Sequence, residues 1–175
     1  MTTVDPRRVT ADPEESFVVF LIGMRVNRVW KLHRWLPVAA AMPRMLRQLA
    51  DDPESGLLGT RTTVGWRTIT VIQYWDSVES LTEYARDPAS EHLPAWVGYN
   101  REVGGSGDVG IWHETYRVDP GDTESVYRNV PAFGLGAAAG TREATGESES
   151  AARRLGESDE DGLPVSPDGD LRREG

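Results

Sequence analysis

The chain has 175 residues, a formal net charge of −9 and no cysteine. The lack of cysteine excludes a disulfide framework and a zinc site built from thiolates. The excess of acids extends to both parts of the chain, with eighteen acids against fourteen bases over 1–136 and ten against five over 137–175. This balance excludes the basic surface that is typical of nucleic-acid-binding proteins.

Composition predicts three segments. Residues 1–15 are expected to form a flexible arm, residues 16–136 a compact domain, and residues 137–175 a disordered acidic tail. The tail has almost no large apolar side chains, so it would bury too little surface to offset the entropy of ordering it. No apolar stretch reaches the roughly eighteen residues of a membrane-spanning helix. The acidic N-terminus does not resemble a signal peptide, so a cytoplasmic location is expected.

The first predicted elements are a strand and a helix. Ser16–Asn27 is a β-branched, apolar run with large side chains on both faces, which indicates a central strand that is covered on two sides. Trp35–Asp52 has the pattern of a helix, which Pro43 is expected to kink or interrupt.

The remaining elements complete a recognisable order. The strings "LLGTRTTVG" and "RTITVIQYWDS" predict a hairpin around "GW". "SVESLTEYARD" predicts a helix with Ser77 as a candidate cap; Pro88 breaks it, and "ASEHLPAWVGYNREV" resumes it. A last strand follows in "DVGIWHETYRV". Strand, helix, strand, strand, helix, strand is the ferredoxin-like βαββαβ order of an α+β fold.

Several stretches together carry a resemblance to a known family. "VIQYWDSVESLTEYARDPASEHLPAW" resembles the dimeric α+β barrel monooxygenases of the antibiotic-biosynthesis type, in which a strand ends in Trp, a helix opens with S-x-E-x-L and a His follows. "FVVFLIGMRVNRVWKLHRWLPVAAAMPRML", "DPESGLLG", "EHLPAW", "GDVGIWHETY" and "YRNVPAFGLG" are similar to a family once described only as a domain of unknown function and now grouped with a fungal monooxygenase of fumagillin biosynthesis. The similarity covers about residues 16–136.

The resemblance implies a function but does not fix it, because one fold hosts many chemistries. It implies a homodimeric, monooxygenase-like enzyme. The implied substrate is a small hydrophobic molecule, with or without an anionic group, that binds in an apolar cavity between sheet and helices. Cofactor-free oxygen chemistry is expected, with Trp75 among the substrate-binding residues. The alternatives are a haem-binding dehydratase or haem-handling protein, and a non-enzymatic small-molecule-binding module.

The last predicted strand holds two candidate catalytic residues on opposite faces. Strand alternation separates His113 from Glu114, which shares its face with Trp112 and Tyr116. We expect this aromatic face to line a dry cavity, where the Glu114 carboxylate acts as acid or base and the two aromatic residues bind substrate. An ion pair with Arg25 is the alternative for Glu114. His113 is interpreted as a core or interface histidine, with catalysis as its alternative.

Further candidates come from the helical regions and the first strand. His92, at an irregular position near Pro94, is a candidate base for an acidic substrate carbon, with helix capping or a hydrogen bond to the backbone as the alternative. Arg25 is expected to steady an oxyanion. His33 lies in an acid-free basic run, Arg28–Arg47, which is interpreted as an anion clamp, a weakly membrane-associated surface or a solvated face.

The three histidines lie on separate elements with no metal-ligand spacing, so no metal site is predicted. Haem remains open as a cofactor, since a single axial histidine leaves no spacing signature.

Overall fold

The structure, a computed structural model, describes residues 4–146 and 149–156. The chain divides into two compact units. The larger unit is Phe17–Arg117, and the segments before and after it form the second. Within the described ranges, no helix is long and apolar enough to cross a membrane.

The larger unit is built on a four-stranded sheet of β2 (Phe17–Val26), β3 (Leu57–Val64), β4 (Thr68–Trp75) and β5 (Val109–Val118). β2 lies inside this sheet, between β4 and β5, as its apolar faces predict, and it pairs antiparallel with β4 in the register Val18↔Trp75. The predicted hairpin is confirmed, because β3 and β4 pair antiparallel around Trp66. The strand order β3-β4-β2-β5 and the intervening helices make the fold ferredoxin-like α+β, as the sequence predicts.

α1 (Leu32–Asp51) is a single long helix. It begins before the predicted start at Trp35 and continues through Pro43, so the predicted interruption is wrong. The helix buries Ala41, Met45 and Leu49, which are four residues apart and therefore lie on one face. Pro43 is exposed. Packing of the buried stripe thus maintains the helix despite the local cost of a proline in its interior.

α2 (Val78–Arg86) and α3 (His92–Tyr99) connect β4 to β5. Ser77 caps α2 as predicted, because its Oγ accepts a hydrogen bond from the backbone N–H of Ser80 at 3.1 Å. The break at Pro88 separates the two helices, and a π-helical turn at Asn100–Gly104 extends α3.

Two buried clusters hold the helices on the sheet. One contains Met24, Val26, Val103 and Val109, and the other contains Val18, Leu49 and Trp75. The members from β2 are all even-numbered, so this face of the strand meets the helices. Phe20 and Ile22 lie on the same face between the clusters, and both line a cavity.

The loop between β2 and α1 is fixed by a buried carboxylate. Asp108, with its side chain 1% exposed, accepts from Arg28 Nη1 at 2.7 Å and from Lys31 Nζ at 2.9 Å. The hydrogen bond from Lys31, supported by both cationic charges, lowers the pKa of Asp108 despite its desolvation. Two cations of the basic run are therefore engaged in an internal ion pair. The predicted weak association of Arg28–Arg47 with a membrane surface therefore depends on the other cations of that run.

The second unit shows order that composition did not predict. β1 (Val9–Ala11) pairs antiparallel with β6 (Thr141–Glu143). Arg154, in α5 (Ala151–Arg154), has a buried side chain that is ion-paired with Glu124. Within the described ranges, the predicted arm over 1–15 and the predicted tail over 137–175 each supply the other with a pairing strand. The flexibility and disorder predicted for these segments stay predictions. The unit also contains α4 (Gly134–Ala138), while residues 1–3, 147–148 and 157–175 lie outside the described residues.

Candidate functional site

A cavity of about 340 Å³ lies between the sheet and the three helices of the larger unit. This volume is at the lower end of the range for small-molecule pockets, roughly 300 to 1,000 Å³. Apolar side chains from every surrounding element form most of its wall, and none of the described Asp and Glu residues lines it. The sheet contributes Phe20, Ile22, Met24, Ile69, Val71 and Ile111, and α1 contributes Val38, Ala39, Ala41, Met42 and Met45.

The cavity lies on the His113 side of β5. His113 and Ile111 line it, and the His113 ring packs against Phe20 with the ring centres 5.7 Å apart. The predicted opposition of His113 and Glu114 agrees with the alternation of the strand. The predicted choice of face is wrong, because the helices pack against the even-numbered face of β2 and His113 is on that side of the sheet.

Glu114 lies on the open face of the sheet. Its Oε2 accepts a hydrogen bond from the Tyr116 hydroxyl at 2.7 Å, and this bond raises the pKa of Tyr116. Tyr116 is 49% exposed, so this face is not dry in the single chain. The alternative ion pair of Glu114 with Arg25 is not formed among the described residues, since the tyrosine hydroxyl binds the carboxylate instead.

Trp112 lies on the open face of the sheet, opposite the part of the sheet that forms one wall of the cavity. A Cβ atom added to Gly23 would lie 2.5 Å from the Trp112 indole, so the ring lies directly over this glycine. Gly23 itself lines the cavity from the other side. Trp112 therefore does not line the cavity as a substrate-binding residue, although it backs one of its walls.

His92 is at the first position of α3 and lines the cavity. Its Nδ1 is 3.2 Å from the backbone oxygen of Ala85. A carbonyl oxygen can only accept, so Nδ1 carries the proton in this bond. In the neutral ring Nε2 then has the free lone pair and can accept a proton. The break between α2 and α3 brings this residue back to the end of α2, as the irregularity around it suggested.

The remaining predicted residues do not line the cavity. Trp75 is fully buried and donates its indole N–H to Gln73 Oε1 at 2.9 Å, so it is a core residue. Arg25 is exposed on the odd-numbered face of β2, away from the helices. His33 is exposed in the first turn of α1. The structure does not bring these three residues to the cavity wall, and the roles predicted for them stay predictions.

Two polar residues of α2, Thr82 and Arg86, also line the cavity and were not predicted from the sequence. They are four residues apart and therefore lie on one face of the helix. In the sequence they resemble any solvent-facing polar pair of an amphipathic helix. The one signal in the sequence was the helical period, which places Thr82 and Arg86 beside the apolar Leu81 and Ala85.

The described residues contain no group of three or more His, Asp or Glu side chains that could hold a metal ion. Within the cavity wall, His92 and His113 are the side chains able to ligate haem iron through a ring nitrogen.

Together these features define a class of protein: a ferredoxin-like α+β domain with an apolar cavity between its sheet and its helices. The chain belongs to the monooxygenase af470-like family, whose sequence pattern matches residues 17–135. It is 31% identical over 134 residues to monooxygenase af470 of Aspergillus fumigatus. That match covers 69% of this chain and 46% of the relative, so the chain spans about half of the relative's length.

Solved structures with similar elements include three at low sequence identity. SnoaB, a cofactor-independent oxygenase from Streptomyces nogalater, is 12% identical, covers 58% of this chain and 91% of its own, and has a TM-score of 0.42. A conserved protein of unknown function from Bacteroides thetaiotaomicron is 16% identical, with 59% and 98% covered and a TM-score of 0.42. A dimeric ferredoxin-like protein from Jannaschia is 15% identical, with 55% and 97% covered and a TM-score of 0.41.

Proposed function

We propose that this chain is a monooxygenase-like oxidoreductase that holds a small hydrophobic substrate in the cavity between sheet and helices. One observation carries the proposal: the mainly apolar wall of the cavity includes two histidines and, among the described residues, no carboxylate. An apolar pocket with a few placed polar groups is the usual form of a small-molecule site. Membership of the monooxygenase af470-like family supports oxidative chemistry.

His92 is the proposed general base. The Ala85 carbonyl holds its Nδ1–H, which leaves Nε2 as the proton acceptor and orients the ring. His113, against Phe20 on the sheet side, is the second polar group that can bind the substrate or the proton. Glu114 is not proposed as the base, because it belongs to the open face.

The proposed reaction uses the substrate itself as the reductant. His92 takes a proton from an activated methylene, and the resulting carbanion passes one electron to O₂. The two radicals combine to a peroxide anion, which takes the proton back from His92 to give a hydroperoxide. Loss of water from the hydroperoxide leaves a carbonyl. The balance is CH₂ + O₂ → C=O + H₂O: carbon loses four electrons, and oxygen gains them. No cofactor is needed for these steps.

Oxygen uptake with anthrone, an apolar molecule with an acidic methylene, tests this proposal. We expect the protein to accelerate uptake, and His92→Gln to lower the rate by about 10²- to 10⁴-fold, the usual contribution of a general base. His113→Gln is expected to lower it less. Glu114→Gln changes a residue on the other sheet face and is expected to leave the rate unchanged.

Two outcomes would contradict the proposal. Full activity in His92→Gln would remove the proposed base. Loss of activity in Glu114→Gln with both histidine variants active would place the reaction on the open face. The absorption spectrum of the purified protein separates the alternatives, since a Soret band indicates haem, whereas binding of anthrone without oxygen uptake indicates a binding module.

We also propose that a second copy of the chain covers the open sheet face. Trp112 and Tyr116 are 37% and 49% exposed there, beside the partly buried Leu21 and Ile72. An apolar sheet face of this kind is normally covered by another layer. Sedimentation should show a homodimer at micromolar concentration, and a stable monomer would rule out this assembly.

A further inference from the structure

The proposed cavity carries a cation whose charge has no internal partner. Arg86, the last residue of α2, lines the cavity and is exposed at its edge. Within the described residues it forms neither an ion pair nor a hydrogen bond. It differs in this from several cations of the basic run, such as Arg28, which pairs with Asp108, and Arg44, which pairs with Glu91 at 3.5 Å.

The carboxylates nearest to Arg86 in the sequence form no ion pair with it among the described residues, and this includes Glu83, one turn earlier on α2. Asp87 Oδ1 accepts from the backbone N–H of Ala89 at 2.9 Å, and Glu91 pairs with Arg44. Over the described part of the chain, no Asp or Glu lines the cavity. An anionic ligand group at this position would therefore meet a guanidinium without displacing an internal salt bridge.

The groups around Arg86 can also orient a bound ligand. Thr82, one turn earlier on the same face of α2, adds a hydroxyl that can donate a hydrogen bond. A planar guanidinium binds a carboxylate through two parallel N–H bonds, which fixes the orientation as well as the position of the ligand. The rest of the wall is mainly apolar, so the polar end of α2 and the apolar body of the cavity match the two parts of an amphiphilic molecule.

We infer that Arg86 is a specificity-determining residue that binds an anionic group of the substrate, and that the cavity selects hydrophobic organic acids. This inference rests on the proposed function, since it takes the cavity to be the substrate site. In such a complex the apolar body fills the space between β2 and α1. The carboxylate lies at Arg86 and Thr82, close to His92, whose ring is bonded to the residue before Arg86.

Binding, not turnover, tests the inference. The probes are 2-naphthaleneacetic acid and 2-naphthaleneacetamide, which have the same shape and differ in charge at pH 7. We expect the full-length protein to bind the acid about five- to tenfold more tightly in calorimetric titration, a moderate preference because Arg86 is partly solvated. Arg86→Gln should remove this preference while leaving the affinity for the amide unchanged.

Two further variants serve as controls. Arg86→Lys keeps the charge and should retain part of the preference. Arg47→Gln removes an exposed cation of α1 that does not line the cavity, and should retain all of it. A preference that also declines in Arg47→Gln would show a general charge effect and overturn the assignment.

The outcomes separate this inference from the proposed function. Equal affinity for acid and amide in the unmodified protein, or an intact preference in Arg86→Gln, overturns the role of Arg86 and leaves the cavity as the proposed substrate site. Failure of both probes to bind, together with no oxygen uptake from anthrone, contradicts both.

Discussion

The buried pair of Trp75 and Gln73 provides a quantitative test of the core beside the cavity. Trp75 is 0% exposed, Gln73 is 5% exposed, and the indole N–H donates to Gln73 Oε1 at 2.9 Å. Both side chains lie on the helix-facing side of β4, two residues apart. Each single substitution therefore leaves one buried polar group without its partner, whereas the double substitution removes both groups.

The magnitudes follow from burial. Trp75→Phe loses part of a fully buried ring and leaves the amide oxygen unpaired, which should cost about 3 kcal/mol of unfolding free energy. Gln73→Met leaves the indole N–H unpaired and should cost about 1 to 2 kcal/mol. The double variant should cost about 1 to 2 kcal/mol less than the sum of the two, because neither unpaired-group penalty then remains.

Urea unfolding followed by circular dichroism measures the four free energies of this cycle. Trp66→Phe is the matched control, because Trp66 is 91% exposed at the hairpin tip and its replacement should stay within about 0.5 kcal/mol. Additivity of the two core substitutions within about 0.5 kcal/mol would refute the reasoning, since it would show that the indole N–H and the amide are not coupled.

Two further predictions concern the loop before α1 and the second unit. Because Lys31 and Arg28 lower the pKa of Asp108, its ionised form stabilises the fold above the unfolded pKa of about 3.9, and this stabilisation is lost as pH falls through the folded-state value. Asp108→Asn should therefore be less stable than the parent at pH 7 in urea titrations. The difference should shrink below about pH 4, and a constant difference down to pH 3 would contradict this account. Truncation after Gly140 removes β6, so hydrogen exchange should show lost protection at Thr10, which lies opposite Arg142, while Val9 N–H keeps its bond to Tyr127 O and Ala11 N–H its bond to Ser125 Oγ. Truncation after Gly156 keeps β6 and should retain the protection of Thr10. Unchanged protection after the shorter truncation would show that β1 does not need this partner.

Local patterns were sufficient for the order of the elements. The β-branched, apolar Ser16–Asn27 predicted a covered strand, Ser77 predicted the start of α2, and the string around Trp66 predicted the hairpin, because each signal depends on residues close together in the chain. Pro43 shows the limit of such signals. Its local effect was outweighed by burial of Ala41, Met45 and Leu49 against other elements.

The candidate site was predictable only in part. The sequence drew attention to His92, which lines the cavity, because Pro94 two residues later indicates an irregular, accessible position; its role as a base stays a prediction. Arg86 was missed because a polar residue on an amphipathic helix has the same pattern whether it faces solvent or the edge of a cavity. Trp75 was misplaced because a strand-terminal tryptophan has the same local sequence in a core and in a pocket wall.

The β5 pair separates what sequence and tertiary structure each determine. Alternation in a strand requires His113 and Glu114 to point to opposite faces, and this follows from backbone geometry alone. Which face lines the cavity depends on where α1, α2 and α3 pack, and that choice is made by Val18, Met24, Leu49 and Val103, most of them far from β5 in the sequence. The aromatic neighbours of Glu114 could not reveal it, since an apolar sheet face can meet either a helix layer or another molecule. The same reason explains the tail, where β6 is ordered by a strand more than a hundred residues earlier in the chain.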